Sequence, residues 1–133
     1  MNIFNKVALA ALGLAVLLSG PATAKDKVKL KDITGREVEV GVPVEHVILG
    51  EGRQMYFVAA LDTEEPFKRV VGWRDDFKKA DLDGYNAYLE KFPEMEKLPT
   101  FGGMKDGTFD IEQAVALKPD VILMNVDAKT ATE

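Results

Sequence analysis

Gly50, Glu51, Gly52 and Arg53 stand in a row between a short apolar run and a helical pattern. Unpaired N–H groups at a helix start, beside a guanidinium, favour an anion. A second group, Trp73, Arg74 and Asp75, sets a large flat ring beside a guanidinium, which suits an aromatic or anionic ligand. The third group, Gly102, Gly103, Met104 and Lys105, closes a small extended piece with a flexible loop and a cation. Each group alone reads equally well as a surface loop with a stabilising charge or a partly buried tryptophan. All three follow extended segments, and in an open α/β sheet ligands lie beyond the carboxyl ends of the strands. Glu51, Arg53, Trp73, Arg74 and Lys105 are therefore the candidate ligand-binding residues.

Catalytic chemistry has little to work with. The glycine fingerprint of dinucleotide sites and the phosphate loop of nucleotide triphosphatases are both missing. The chain's one serine, Ser19, lies in the N-terminal apolar segment, which excludes a serine hydrolase. His46 is the sole histidine, so no His-based triad or zinc motif can be built, and its place at the start of an apolar run reads as a hydrogen-bonded structural residue. The absence of cysteine removes disulfides, thiolate metal sites and a cysteine nucleophile. Asp75, Asp76, Asp81 and Asp83 could be drawn as a hard-cation site, but they lack a fixed EF-hand spacing and read as a solvated loop. A formal net charge of −5 argues against binding nucleic acid or anionic lipid through general charge. The expectation is a binding protein, without catalytic residues, a metal centre or a cofactor.

The elements that would position these residues alternate between strand and helix. Residues 1–24 read as a signal peptide: a weakly basic start, an apolar run from Val7 to Leu18, and Ala22, Thr23 and Ala24 as the small-residue cleavage site, with Lys25 as the mature start. The apolar run is too short for a permanent span, so soluble export to the periplasm is expected. Val28 to Lys31 and Arg36 to Val40 alternate around a turn at Asp32, Thr34 and Gly35, which predicts a hairpin at a sheet edge. Val44 to Leu49 reads as a buried strand, Gln54 to Leu61 as a helix, and Val70 to Trp73 as the next parallel strand. Asp75 to Asp83 looks loose, and Tyr85 to Phe92 reads as a short helix stopped by Pro93. Asp110 with Gln113 marks a helix start, with Ile111, Ala114, Val115 and Leu117 as its buried stripe. Val121 to Met124 reads as a last buried strand. The fold class is α/β: a single open, mostly parallel sheet flanked by helices, with an N-terminal β-hairpin, in a Rossmann-like lobe spanning 25–126 and followed by a polar tail at 127–133.

Several stretches resemble one family. Asp32, Gly35, Arg36 and Val38 resemble the D-x-x-G-R-x-V opening of many siderophore-binding proteins, and Pro43 to Leu49 resembles the segment that follows it, with His46 in place of the usual arginine. The stretch RVVGW at 69–73 resembles the strand after their first helix. The stretches FPEMEKLPTFG at 92–102 and DIEQAVALKPDVIL at 110–123 are the most specific matches. The sequence is thus similar to the N-terminal lobe of a periplasmic substrate-binding protein of the iron–siderophore and vitamin B12 class, which serves ABC importers. The resemblance implies a clamp of two lobes that captures a ferric siderophore, haem or cobalamin and hands it to an inner-membrane permease. It also implies that Glu112 docks on the permease, whereas by itself Glu112 is an exposed first-turn carboxylate favoured by the helix dipole.

A complete member has two lobes, so the expectation here is a truncated lobe whose apolar sheet edge favours self-association. Two alternatives accompany it: an interaction module that keeps the docking face and binds no ligand, and, less well supported by the side chains, an exported α/β enzyme.

Overall fold

The computed structural model describes residues 25–124. The expected signal peptide, its cleavage site and the polar tail lie outside them.

The chain opens with an antiparallel ribbon, β1 (Asp26–Lys31) and β2 (Glu37–Val42). Val28 pairs with Val40 and Leu30 with Val38, so the ribbon has one aliphatic face, while Lys27, Lys29, Glu37 and Glu39 share the other. Asp32 builds the turn. One carboxylate oxygen accepts the N–H groups of Thr34 at 2.9 Å and Arg36 at 2.8 Å, and the other accepts Arg36 Nε at 2.7 Å. The Thr34 hydroxyl and the Arg36 guanidinium hold this carboxyl well below the usual range. Gly35 takes φ +89°, open to glycine at no steric cost. The hairpin was expected at a sheet edge, but it forms a sheet of its own. Alternation specifies a strand and its face; it does not specify which ladder the strand joins. Here Pro43, which has no N–H, and the irregular residues 44–46 separate the ribbon from the next strand.

The main sheet is parallel, with the order β5-β4-β3-β6, built from β3 (Val47–Leu49), β4 (Val70–Arg74), β5 (Thr100–Phe101) and β6 (Val121–Leu123). Between β3 and β4 run a 3-10 turn (Gly52–Gln54) and α1 (Met55–Leu61). Between β4 and β5 run α2 (Phe77–Ala80), α3 (Leu82–Lys91) and a 3-10 turn (Pro93–Lys97). The return from β5 to β6 carries α4 (Ile111–Ala116). Because that return reverses direction across the sheet, right-handed crossovers place α4 on the opposite face. Two apolar clusters result. Leu49, Met55, Phe67, Trp73, Phe77, Phe92 and Met95 fill the larger, and Ile48, Phe101 and Ala114 the smaller, with Val71 and Leu117 against it.

Three further sequence expectations need correction. The stretch from Asp75 to Asp83 is ordered, because Phe77 anchors α2 in the core and the Asp81 carboxylate accepts the Gly84 N–H at 2.9 Å to start α3. In α4 only Ala114 and Leu117 of the expected stripe pack inward, while Ile111 and Val115 are 65% and 67% exposed. A six-residue helix over a narrow sheet face touches it along a single line. Among the described residues β6 is an edge strand paired only with β3, and Ile122 and Leu123 are exposed rather than buried. The helix start at Asp110 is as expected, its carboxylate accepting the Gln113 N–H at 2.9 Å. Asp110→Ala is expected to lower stability by about 1 kcal/mol in urea titration; an unchanged midpoint would show that this cap is redundant. No helix among the described residues is long and apolar enough to cross a membrane.

Candidate functional site

β3 and β6 are where the strand order reverses, the usual place for a ligand crevice. Their carboxyl ends are in close contact. Gly50 donates its N–H to the Leu123 carbonyl at 2.7 Å, and a Cβ on Gly50 would lie 2.7 Å from both that oxygen and Met124 Sδ. A glycine is thus required where two strand ends meet, and Met124 lines the meeting point. Sequence reasoning passed over Met124, because methionine at a strand end carries no signal of its own.

Beside this point the expected site residues occupy the same edge of the sheet. Glu51 and Arg53 form an ion pair with each other. The Gly52 N–H donates to the Asp76 carboxylate at 2.7 Å, which ties the loop after β3 to the loop after β4. Arg74 Nε lies 3.6 Å from the same carboxylate, too far for a hydrogen bond, and is buried without one. The guanidinium lies over Gly103, where a Cβ would come within 2.7 Å of a terminal nitrogen. The loop beyond is held by Thr108, whose hydroxyl accepts the Gly103 N–H at 3.0 Å and donates to Asp106 at 2.7 Å. The Thr108 hydroxyl, and more weakly the charge of Arg74, hold the Asp106 carboxyl below its ordinary value. Lys105 is exposed in the turn at 104–107.

Trp73 does not lie on this face. It is 3% exposed, with Phe67 and Phe77 meeting its ring edge to face at 5.7 Å and Tyr85 stacked at 6.4 Å. Its strand register explains the difference: Trp73 pairs with Leu49 and points with it into the helical layer, rather than beyond the strand end. The ring does reach a cavity of about 170 Å³ near the ends of β4 and β5, bordered also by Arg74, Tyr85, Met95 and Leu98. The structure therefore brings Glu51, Arg53, Arg74 and Lys105 to one edge and assigns Trp73 to the core behind it.

The remaining candidates are scattered. Glu112 is exposed in the first turn of α4. His46 is exposed as well, with Nδ1 3.3 Å from the Lys118 carbonyl oxygen. Of Asp75, Asp76, Asp81 and Asp83, Asp76 holds Gly52 and Asp81 caps α3, and no cluster of three or more metal-ligating side chains occurs among the described residues. Asp81 also accepts the Tyr56 hydroxyl, which pushes the phenol up to about 12. Sequence reasoning missed this contact, which joins residues 25 positions apart on separate helices, and it missed Asp120. The Asp120 carboxylate accepts the N–H groups of Glu45 at 2.8 Å and His46 at 3.0 Å and the Lys25 ammonium at 2.9 Å.

No protein-family model and no curated protein sequence matches the chain. Solved structures do. A TroA-like periplasmic binding protein, FepB, from Veillonella parvula aligns with a TM-score of 0.63 and 34% identity over 71% of this chain and 28% of its own. The molybdate periplasmic binding protein MolA of a Haemophilus influenzae ABC transporter, bound to molybdate, aligns with a TM-score of 0.56 and 26% identity over 73% of this chain and 27% of its own. A periplasmic solute binding protein from Veillonella parvula gives 0.57 at 24% identity over 73% of this chain and 28% of its own, a likeness of fold. The chain spans a little over a quarter of the length of these relatives. Strand order, crossovers and these likenesses agree: the chain has the fold of a lobe of the TroA-like periplasmic binding proteins.

Proposed function

We propose that this chain is part of the substrate-binding component of an ABC importer. It takes up a small ligand in the periplasm and passes it to an inner-membrane permease without making or breaking bonds. The observation that carries this reading is the gathering of Arg53, Arg74, Lys105 and two glycine loops at the carboxyl edge of a parallel sheet, on a fold shared with periplasmic binding proteins. The cargo is a ferric siderophore or related iron complex, haem or cobalamin, held through Arg53, Arg74 and Lys105, with Glu51 orienting Arg53. Glu112, exposed at the start of α4, is the docking carboxylate for the permease. A small oxyanion is the second reading, favoured by the molybdate held by the Haemophilus influenzae relative and by the guanidinium at Gly103.

Trp73 supplies the test, as the chain's single tryptophan and a wall of the cavity beside Arg74. The chain is titrated with a ferric catecholate, a ferric hydroxamate, haem, cobalamin and molybdate, following tryptophan emission corrected for inner-filter absorption. A saturable change with one of them is expected, weakened about tenfold or more in Arg74→Gln, the scale of a lost charge-assisted hydrogen bond. No saturable change across the panel, in a chain shown to be folded by circular dichroism, would sink the reading.

A further inference from the structure

The N-terminal ribbon is attached to the rest of the molecule in an unusual way. Among the described residues, it shares no ladder with the main sheet, and its side chains are not part of either apolar cluster. Val28 and Leu30, on its aliphatic face, are 42% and 50% exposed, and Ile33 at its tip is almost wholly exposed. A two-stranded ribbon of this kind is marginal on its own in water. Among the described residues, an ionic contact ties it to the lobe at its base. The Lys25 stem lies along Gly41 of β2, in contact at 3.4 Å with the place a Cβ would take, so the lysine is part of the ribbon. Its ammonium reaches the Asp120 carboxylate at 2.9 and 3.0 Å and Glu45 at 2.9 Å. The receiving side is built independently of the ribbon. Asp120 is held by the N–H groups of Glu45 and His46, and its own N–H donates to the His46 carbonyl at 2.9 Å. The socket therefore belongs to the segments that lead into β3 and β6, and only the key comes from the hairpin.

We propose that β1 and β2 form a strap held to the lobe by an ionic lock, Lys25 in the Asp120 and Glu45 socket, and that the strap opens as a unit while the parallel sheet stays folded. The Lys25 lock sits at the base of the ribbon, where Asp26 lies opposite Val42, and the exposed Ile33 is at the far end. Among the described residues, opening breaks the contacts of the Lys25 ammonium and exposes the rest of an aliphatic face on which Val28 and Leu30 are already 42% and 50% exposed. It leaves Asp120 bonded to the backbone of residues 45 and 46.

Hydrogen exchange on the full 133-residue chain tests this, with Lys25→Met to remove the charge but keep the stem and Lys25→Arg to restore the charge. In Lys25→Met the amides of residues 27–42 are expected to exchange about fivefold faster, the scale of a lost, partly exposed ion pair. The amides of β3 and β4 should keep their protection, and Lys25→Arg should return the ribbon close to the parent rate. Unchanged protection of the ribbon in Lys25→Met would overturn the proposal. So would equal acceleration in ribbon and sheet, which would make the lysine an ordinary contributor to global stability, or fast exchange in both variants, which would show that charge is not what holds the strap.

Discussion

Phe77→Ala is expected to cost about 3–5 kcal/mol, a large part of the roughly 5–15 kcal/mol that holds a small domain folded. Phe77 is 1% exposed, and its ring meets Tyr56 at 5.5 Å, Trp73 at 5.7 Å, and Tyr85 and Tyr88 at 5.9 Å. It is the hub through which α1, α3 and β4 touch, so truncation opens a cavity that rigid neighbouring rings cannot fill. The aromatic geometry would be lost along with the buried area. Urea unfolding followed by tryptophan emission is the measurement, since Trp73 lies directly against the removed ring. The variant should unfold at much lower urea, and its folded emission should move to the red as water reaches the indole. A loss below about 1 kcal/mol, with unchanged emission, would mean that the cluster is loosely packed and can close over the gap.

Gly52→Ala is expected to cost about 1–3 kcal/mol by overpacking. A Cβ there would lie 2.6 Å from Phe77 Cβ, 2.8 Å from Phe77 N and 2.9 Å from the Arg74 carbonyl oxygen, and two of those three atoms are backbone that cannot rotate away. The loop after β3 would have to retreat from the loop after β4, stretching the 2.7 Å bond from Gly52 to Asp76. Gly41→Ala is the matched control, since its nearest neighbour would lie at 3.4 Å, ordinary contact with a flexible lysine stem. Its effect should stay within about 0.5 kcal/mol. Equal midpoints for the two variants in urea would show that the loops after β3 and β4 are not held together as the structure has them. If the candidate ligand edge is used, Gly52→Ala should also weaken binding in the fluorescence titration, because it moves the loop that carries Arg53 and Glu51.

Much of this was legible in the chain itself. Short apolar runs at Val44 to Leu49, Val70 to Trp73 and Val121 to Met124, separated by helical periodicity, read directly as parallel strands with crossovers, and the strands that form are Val47–Leu49, Val70–Arg74 and Val121–Leu123. The turn at Asp32 and the helix start at Asp110 were equally plain, because a side chain that bonds a backbone N–H two to four residues away acts within its own segment. Arg53, Arg74 and Lys105 could be placed at strand ends because each directly follows an extended segment. The direction of a side chain was another matter. Trp73 looked like a binding platform because it ends a strand, yet its pleat position turns it into the core.

Sequence alone thus determined the alternation of strands and helices, the scarcity of catalytic side chains, and which residues stand at strand ends. Those properties depend on composition and on contacts a few residues apart. Tertiary structure decided that the hairpin stands apart from the sheet, that β6 returns beside β3 so that Gly50 meets Met124, and that Asp120 receives Lys25 from 95 positions away. Each of these depends on which distant segments pack together, and packing is set by the shapes of whole faces, which no local run of residues encodes.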